Sequence, residues 1–168
     1  MLNVLSEVLA DIHVLLGDWN DWHTVDIDTA PPRIEQASRQ FKDDYKLCIH
    51  RIHPCTTTNA LYQPHPWPCA GVVCYGQCEM IVGYGDPKGP PPPISHRFIL
   101  KRGSRYEMTD PNAWHAIAPI KTPVLSLVVR GLSYDPAHKW EHNQLRTLTK
   151  EEFLSLQEWF WYNSVREL

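Results

Sequence analysis

Apolar positions recur every three or four residues at Leu2, Leu5, Leu9, Ile12 and Leu16, with Glu7 and Asp11 off that stripe. This spacing predicts an amphipathic helix over 2–16, ended by Gly17-Asp18. Trp19 and Trp22 then stand in a polar surround, so 18–28 reads as a connecting loop. Pro31-Pro32 can open a second, mostly solvated helix through 33–44, because proline suits a first helical turn. Ile34, Ala37 and Phe41 would form its buried edge.

From Tyr45 the period drops to two. Leu47, Ile49, Arg51 and His53 share one face of a strand, and Cys48, His50 and Ile52 share the other. A loop over 54–59 follows, then one or two strands over 70–82 that pivot at Gly76. The proline run ending at Pro93 cannot donate backbone hydrogen bonds and predicts an exposed connector over 83–93. Further strands are expected at 94–100, 105–108, 114–118 and 124–129, with Asp110-Pro111-Asn112 as a turn between two of them. Residues 134–146 look irregular. Thr149 with Glu152 three residues on forms a capping box, opening a last helix from about 150 to 165 with Phe153, Leu156 and Phe160 inside.

Helices, a block of at least six short strands, then a helix predict a mainly β sandwich or barrel. The chain has 168 residues, enough for one domain with a real core. Its organisation reads as a helical extension over 1–44, a barrel over 45–131, and a terminal segment with a helix over 132–168. The net charge of −3, with no basic stripe, argues against a nucleic-acid partner. The N-terminal apolar residues are interrupted by charges and no run is long enough to span a bilayer, so the expectation is a cytoplasmic protein without membrane contact. Five cysteines cannot all pair, and none form a Cys-x-x-Cys, so a zinc ribbon is disfavoured and reduced, packed thiols are expected. Serine triads, P-loops, dinucleotide fingerprints and His-Glu-x-x-His are all absent.

Candidate chemistry centres on Tyr62-Gln63-Pro64-His65-Pro66-Trp67 and on His115, two histidines expected on strands of one barrel. Residues 61–131 resemble the cupin superfamily, whose fold is a jelly roll or double-stranded β-helix. Gln63-Pro64-His65 stands at the His-x-His of the first cupin motif, Cys69 at its glutamate, and Gly76 at its closing glycine. Gly103, Pro111 and His115 match the second motif, with one extra residue between the glycine and the histidine. His-Pro-Trp and the strand over 48–52 are also similar to a little-characterised cupin-like group.

The resemblance implies a divalent metal, iron foremost with zinc, manganese or nickel as alternatives, held by Gln63, His65 and His115. Gln63 replaces a histidine and is a weak ligand. Cys69 replaces the glutamate, as in thiol-dioxygenase cupins, although those keep three histidines. Two imidazoles with an open position suit oxygen chemistry. The implied activity is therefore a metal-dependent dioxygenase oxidising a small molecule, with Arg51 and His53 orienting the substrate and Cys69 as a candidate reactive thiol. His53, Glu79 or His96 could complete the ligand set.

Other readings of the same residues stand beside these. His65 between prolines can be a turn residue donating to a backbone carbonyl, His115 a core histidine, Arg51 a solvated strand arginine, and Trp67 and Trp114 packing residues. The alternative function is a non-catalytic cupin that binds a small ligand or a protein. Many cupins pair, so a homodimer is also compatible.

Overall fold

The computed structural model describes residues 1–17, 21–27, 31–135 and 145–164, with the side chains of Gly17, Leu145 and Ser164 outside the description. Two short helices, α1 (Leu2–Ala10) and α2 (Ile12–Gly17), lead into β1 (His23–Ile27), β2 (Ile34–Phe41) and β3 (Tyr45–Ile52). Then come β4 (Gln63–Pro64), β5 (Cys69–Tyr75), β6 (Gln77–Tyr84), β7 (Ile94–Lys101), β8 (Arg105–Met108), β9 (Ala113–Pro119), β10 (Val124–Arg130) and β11 (Leu145–Arg146). Helix α3 (Lys150–Ser164) follows. One antiparallel sheet has the order β11-β1-β2-β3-β10-β5-β8 and the other β4-β9-β6-β7. This is the mainly β, double-sheet arrangement the strand pattern predicts and the jelly roll the resemblance implies.

Gly76 is the corner at which the chain leaves the larger sheet for the smaller. It sits at φ 81°, and a Cβ there would lie 2.8 Å from the carbonyl oxygen of Pro123. Both the left-handed backbone and the close approach require glycine. The strands expected from 94 to 129 are all present as β7 to β10. Asp110 makes the expected turn, its carboxylate accepting from the Asn112 amide at 2.8 Å. The capping box also forms: the Thr149 amide donates to Glu152 Oε2 at 2.8 Å and the Glu152 amide to Thr149 Oγ1 at 3.2 Å.

Three expectations are corrected. The first helix breaks at Asp11 into α1 and α2. Residues 23–27, expected as loop, form β1; Trp22 just before it is core, while Trp19 lies outside the described residues. Residues 34–41, expected as helix, form β2, paired along its whole length with β3 from Ile34↔Ile52 to Phe41↔Tyr45. Helix propensity in a polar segment is a weak preference, and a full ladder of non-local hydrogen bonds overrides it. The larger sheet thus recruits strands from both sides of 45–131.

The central strands β3, β10 and β5 are apolar on both faces because each face meets a different layer. Leu47, Ile49, Leu125, Leu127, Val129, Ala70 and Val72 point outward and form one core with Leu5 and Val8 of α1 and Leu156 and Phe160 of α3. Burial of each large aliphatic or aromatic side chain contributes about 1.5–3 kcal/mol, which holds the helices on the sheet. The alternate residues Cys48, Val128 and Cys69 point inward and pack with Met80, Val82 and Met108 between the sheets. No helix among the described residues is long and apolar enough to cross a membrane.

Candidate functional site

Between the sheets lies a cavity of about 410 Å³ whose walls include Gln63, His65, His115, Cys69, His50 and Arg130. Strand pairing assembles it. Gln63 is opposite His115 on the β4–β9 ladder, and the His65 amide donates to the Ala113 carbonyl at 2.8 Å. The two sequence motifs therefore meet, with the His65 and His115 rings 4.7 Å apart and nearly perpendicular at 75°.

His65 has its proton placement fixed by its neighbours. Nδ1 lies 2.5 Å from the Trp67 carbonyl oxygen, which can only accept, so Nδ1 carries the hydrogen and donates it. Burial holds the imidazole neutral, with its pKa down to about 4 despite that bond. Nε2 is then a lone pair, and Cys69 Sγ lies 3.4 Å away. Burial pushes the Cys69 thiol up to about 12, so it keeps its proton and donates to Nε2. The turn reading of His65 describes its Nδ1 contact, and Cys69 is a buried protonated thiol. Such a thiol is a poor nucleophile, because the thiolate is the reactive form.

His115 is different. Burial, and secondarily the neighbouring His65, lowers its pKa to about 3, and its buried Nδ1 has no hydrogen-bond partner. A buried, unsatisfied ring nitrogen is costly unless something else meets it.

Arg51 and His53 lie elsewhere. Arg51 pairs across the sheet with Glu35 and Leu125, on the helix-facing side. Its Nη2 donates to Glu35 Oε1 at 2.7 Å, its Nε also bonds Glu35, and its Nη1 reaches Ser155 Oγ of α3 at 3.2 Å. His53 Nε2 contacts the same carboxylate at 2.8 Å. Glu35 is only 2% exposed; burial pushes its pKa up, but the bonds and charges of Arg51 and His53 outweigh that and leave it lowered. The pair anchors a sheet–helix contact instead of facing the cavity. Glu79, on the outward face of β6, bonds Arg97 at 2.8 Å and also Thr57. His96 shares a face with His115 across Val82, but two strands away on exposed β7, stacked on Phe98. None of these completes a ligand set with His65 and His115.

Two inward residues take the places expected of Arg51 and His53. His50 Nε2 donates to Gln36 Oε1 at 2.9 Å, and its Nδ1 accepts from Ser126 Oγ at 3.4 Å. Burial first, and Arg130 second, lower its pKa to about 4, so it too is neutral. Arg130 holds its guanidinium over the Trp67 ring, 4.2 Å from the centroid. The alternation of β3 already placed His50 opposite Arg51; only the side of the sheet that faces the cavity was hidden. Arg130 had no local signal, since it ends an otherwise apolar strand.

The donor set fits a weak two-imidazole metal site and does not fit the fuller centre implied by the resemblance. Among the described residues no group of three His, Cys, Asp or Glu side chains is arranged to hold a metal ion. One of the two imidazoles has both nitrogens engaged.

No protein-family model matches the chain, and no curated protein matches it in sequence. Solved structures do match. The hydroxypropylphosphonic acid epoxidase from S. wedmorenis superimposes with a TM-score of 0.51 at 12% identity, over 66% of this chain and 56% of that one. The chain thus spans little more than half of that enzyme's length. KdgF from Halomonas sp. gives 0.46 at 13% identity over 67% and 89%, and the Schizosaccharomyces pombe Cnp3 cupin domain 0.43 at 14% over 58% and 60%. The fold is a cupin fold.

Proposed function

We propose that this cupin-fold protein binds a small organic molecule in the cavity between its sheets. The observation that carries this reading is a cavity of about 410 Å³ lined by His50, His65 and His115, at which Arg130 is stacked but not ion-paired among the described residues. Mostly apolar walls with a few convergent polar groups are the usual make-up of a ligand site. The test is a thermal-shift screen of small metabolites against wild type and Ile117→Trp, which fills the cavity wall. Ligands that stabilise wild type and not the variant support binding in the cavity; equal shifts in both overturn it.

The orphaned Nδ1 of His115 favours a second reading, in which a divalent metal, iron foremost, is held weakly by His65 and His115 with Gln63. Such an ion would supply Lewis acidity or oxygen activation towards a molecule in the cavity. Within the chain, the Trp67 carbonyl orients the His65 ring for it, and the Cys69 thiol must turn away from Nε2. Metal analysis of untagged protein tests this: metal retained by wild type and lost from the His65→Ala/His115→Ala variant supports it, and equal content in both rejects it.

A further inference from the structure

We propose that the ligand of this cavity is a small organic anion whose oxyacid group is bound by Arg130, with Lys46 beside it at the rim. This rests on the cavity being a ligand site, as argued above.

The charge inventory of the cavity is one-sided. Among the described residues lining it there is no aspartate or glutamate, and Arg130 is the charged side chain; the imidazoles of His50, His65 and His115 add neutral polar groups. Several other arginines are matched with acids: Arg33 with Asp26, Arg51 with Glu35, Arg97 with Glu79 and Arg146 with Glu152. Arg130 has no ion pair among the described residues; its one contact of note is the Trp67 face. Stacking leaves the in-plane N–H fork free, because the ring meets the guanidinium face and not its edge.

Strand register adds a second cation. Arg130 sits opposite Lys46 on β3 and opposite Cys69 on β5, so one rung carries Lys46, Arg130 and Cys69 on the inward face. Lys46 likewise makes no ion pair among the described residues. Two adjacent like charges on a ladder repel and destabilise the sheet unless an anion sits between or over them. A partly buried guanidinium without a counter-ion is costly for the same reason.

The arrangement is also held in advance. The Gly131 amide donates to the Pro68 carbonyl at 2.8 Å and the Tyr134 amide to the Pro66 carbonyl at 2.9 Å. These bonds clamp the chain just after Arg130 onto the segment that carries Trp67. A ligand therefore meets a fork already aimed, which lowers the ordering cost of binding. A planar carboxylate or a tetrahedral phosphate or phosphonate accepts from that fork in a bidentate way.

The experiment is calorimetric titration of the full chain with matched probes: succinate and its diamide, and phenylphosphonate and benzyl alcohol, with inorganic phosphate as the bare anion. Wild type is expected to bind an anionic probe at least tenfold more tightly than its uncharged counterpart. Arg130→Gln should abolish that preference, and Arg130→Lys should restore part of it. Lys46→Gln should weaken anion binding by a few-fold, and salt should weaken it in wild type. The carboxylate and phosphonate arms decide which oxyacid is preferred. Should Arg130→Gln fail to fold, Arg130→Lys and Lys46→Gln carry the test. Uncharged probes binding as well as anions in wild type, with Ile117→Trp blocking both, would overturn the anion assignment and keep the ligand site. Anion binding unchanged in Arg130→Lys and Lys46→Gln also overturns it. No probe of either class binding would count against the ligand site itself.

Discussion

The thiol of Cys69 donates its proton to Nε2 of His65 across 3.4 Å, so the lone pair of that imidazole is already engaged within the chain. Nucleophilicity and ligand strength at both residues are low while that bond holds. Thiol chemistry should show it. All five cysteines are free, and of these only Cys55 is not buried. Native protein at pH 8 should therefore react rapidly with Ellman's reagent at one thiol, and at five in denaturant. Rapid reaction of a second thiol, lost in Cys69→Ser, would contradict the protonated, buried state assigned to Cys69.

Tyr106 crosses the cavity floor over Gly71, where an added Cβ would lie 2.5 Å from the phenol ring carbon Cζ. Gly71→Ala should cost about 1–3 kcal/mol by overpacking. Urea denaturation should show the loss, and Tyr106→Ala in the same chain should recover part of it by removing the clash. A fully additive double variant would show that the two residues do not meet.

Glu35 is the hub of a buried ion-pair group with Arg51 and His53, and Asp26, also 2% exposed, pairs with Arg33 and Arg146. Glu35→Gln leaves Arg51 uncompensated beside α3 and should destabilise by about 3–5 kcal/mol. Glu79→Gln breaks the more exposed pair with Arg97 and should cost under about 1 kcal/mol. Equal costs in equilibrium denaturation would show that Glu35 is not shielded as described.

Acid should weaken the fold before the carboxylates titrate. His50 and His65 fall from 6.5 to about 4 and His115 to about 3, burial being the main cause in each. In the unfolded chain all three bind protons as pH drops through 6.5, while the native chain does not. Unfolding then takes up protons, so stability is full above 6.5 and falls towards pH 4, by at most about 1.4 kcal/mol per pH unit for each group. Urea midpoints measured from pH 7.5 to 5 should decline accordingly. His50→Gln should reduce the slope by about a third, there being three such groups. A flat profile over that range would rule out buried neutral histidines.

The strands after Tyr45 were readable because each is a short apolar or alternating run closed by Gly, Pro or an Asx turn, and the capping box of α3 is wholly local. Strand β2 was not. Its Ile-Glu-Gln-Ala-Ser-Arg-Gln-Phe sequence buries Glu35 and Ser38, residues that look solvated until Arg51 and the neighbouring ladder are known. The meeting of His65 with His115 was implied by the resemblance of their two segments to the cupin motifs. Arg130 depended on the β3–β10–β5 register, which pairs it with Lys46 and Cys69, residues far away in sequence that no local period relates. The choice between Arg51 and His50 turned on which side of one strand met the helices.

That last point has a consequence for how the molecule can change. Along β3, β10 and β5, odd and even positions answer to separate demands: one set to the helices, the other to the cavity. Substitutions at Cys48, His50, Ser126 or Val128 can therefore reshape the cavity lining while Leu47, Ile49, Leu125 and Leu127 keep the helices seated. Cavity lining and folding can diversify independently on the same three strands.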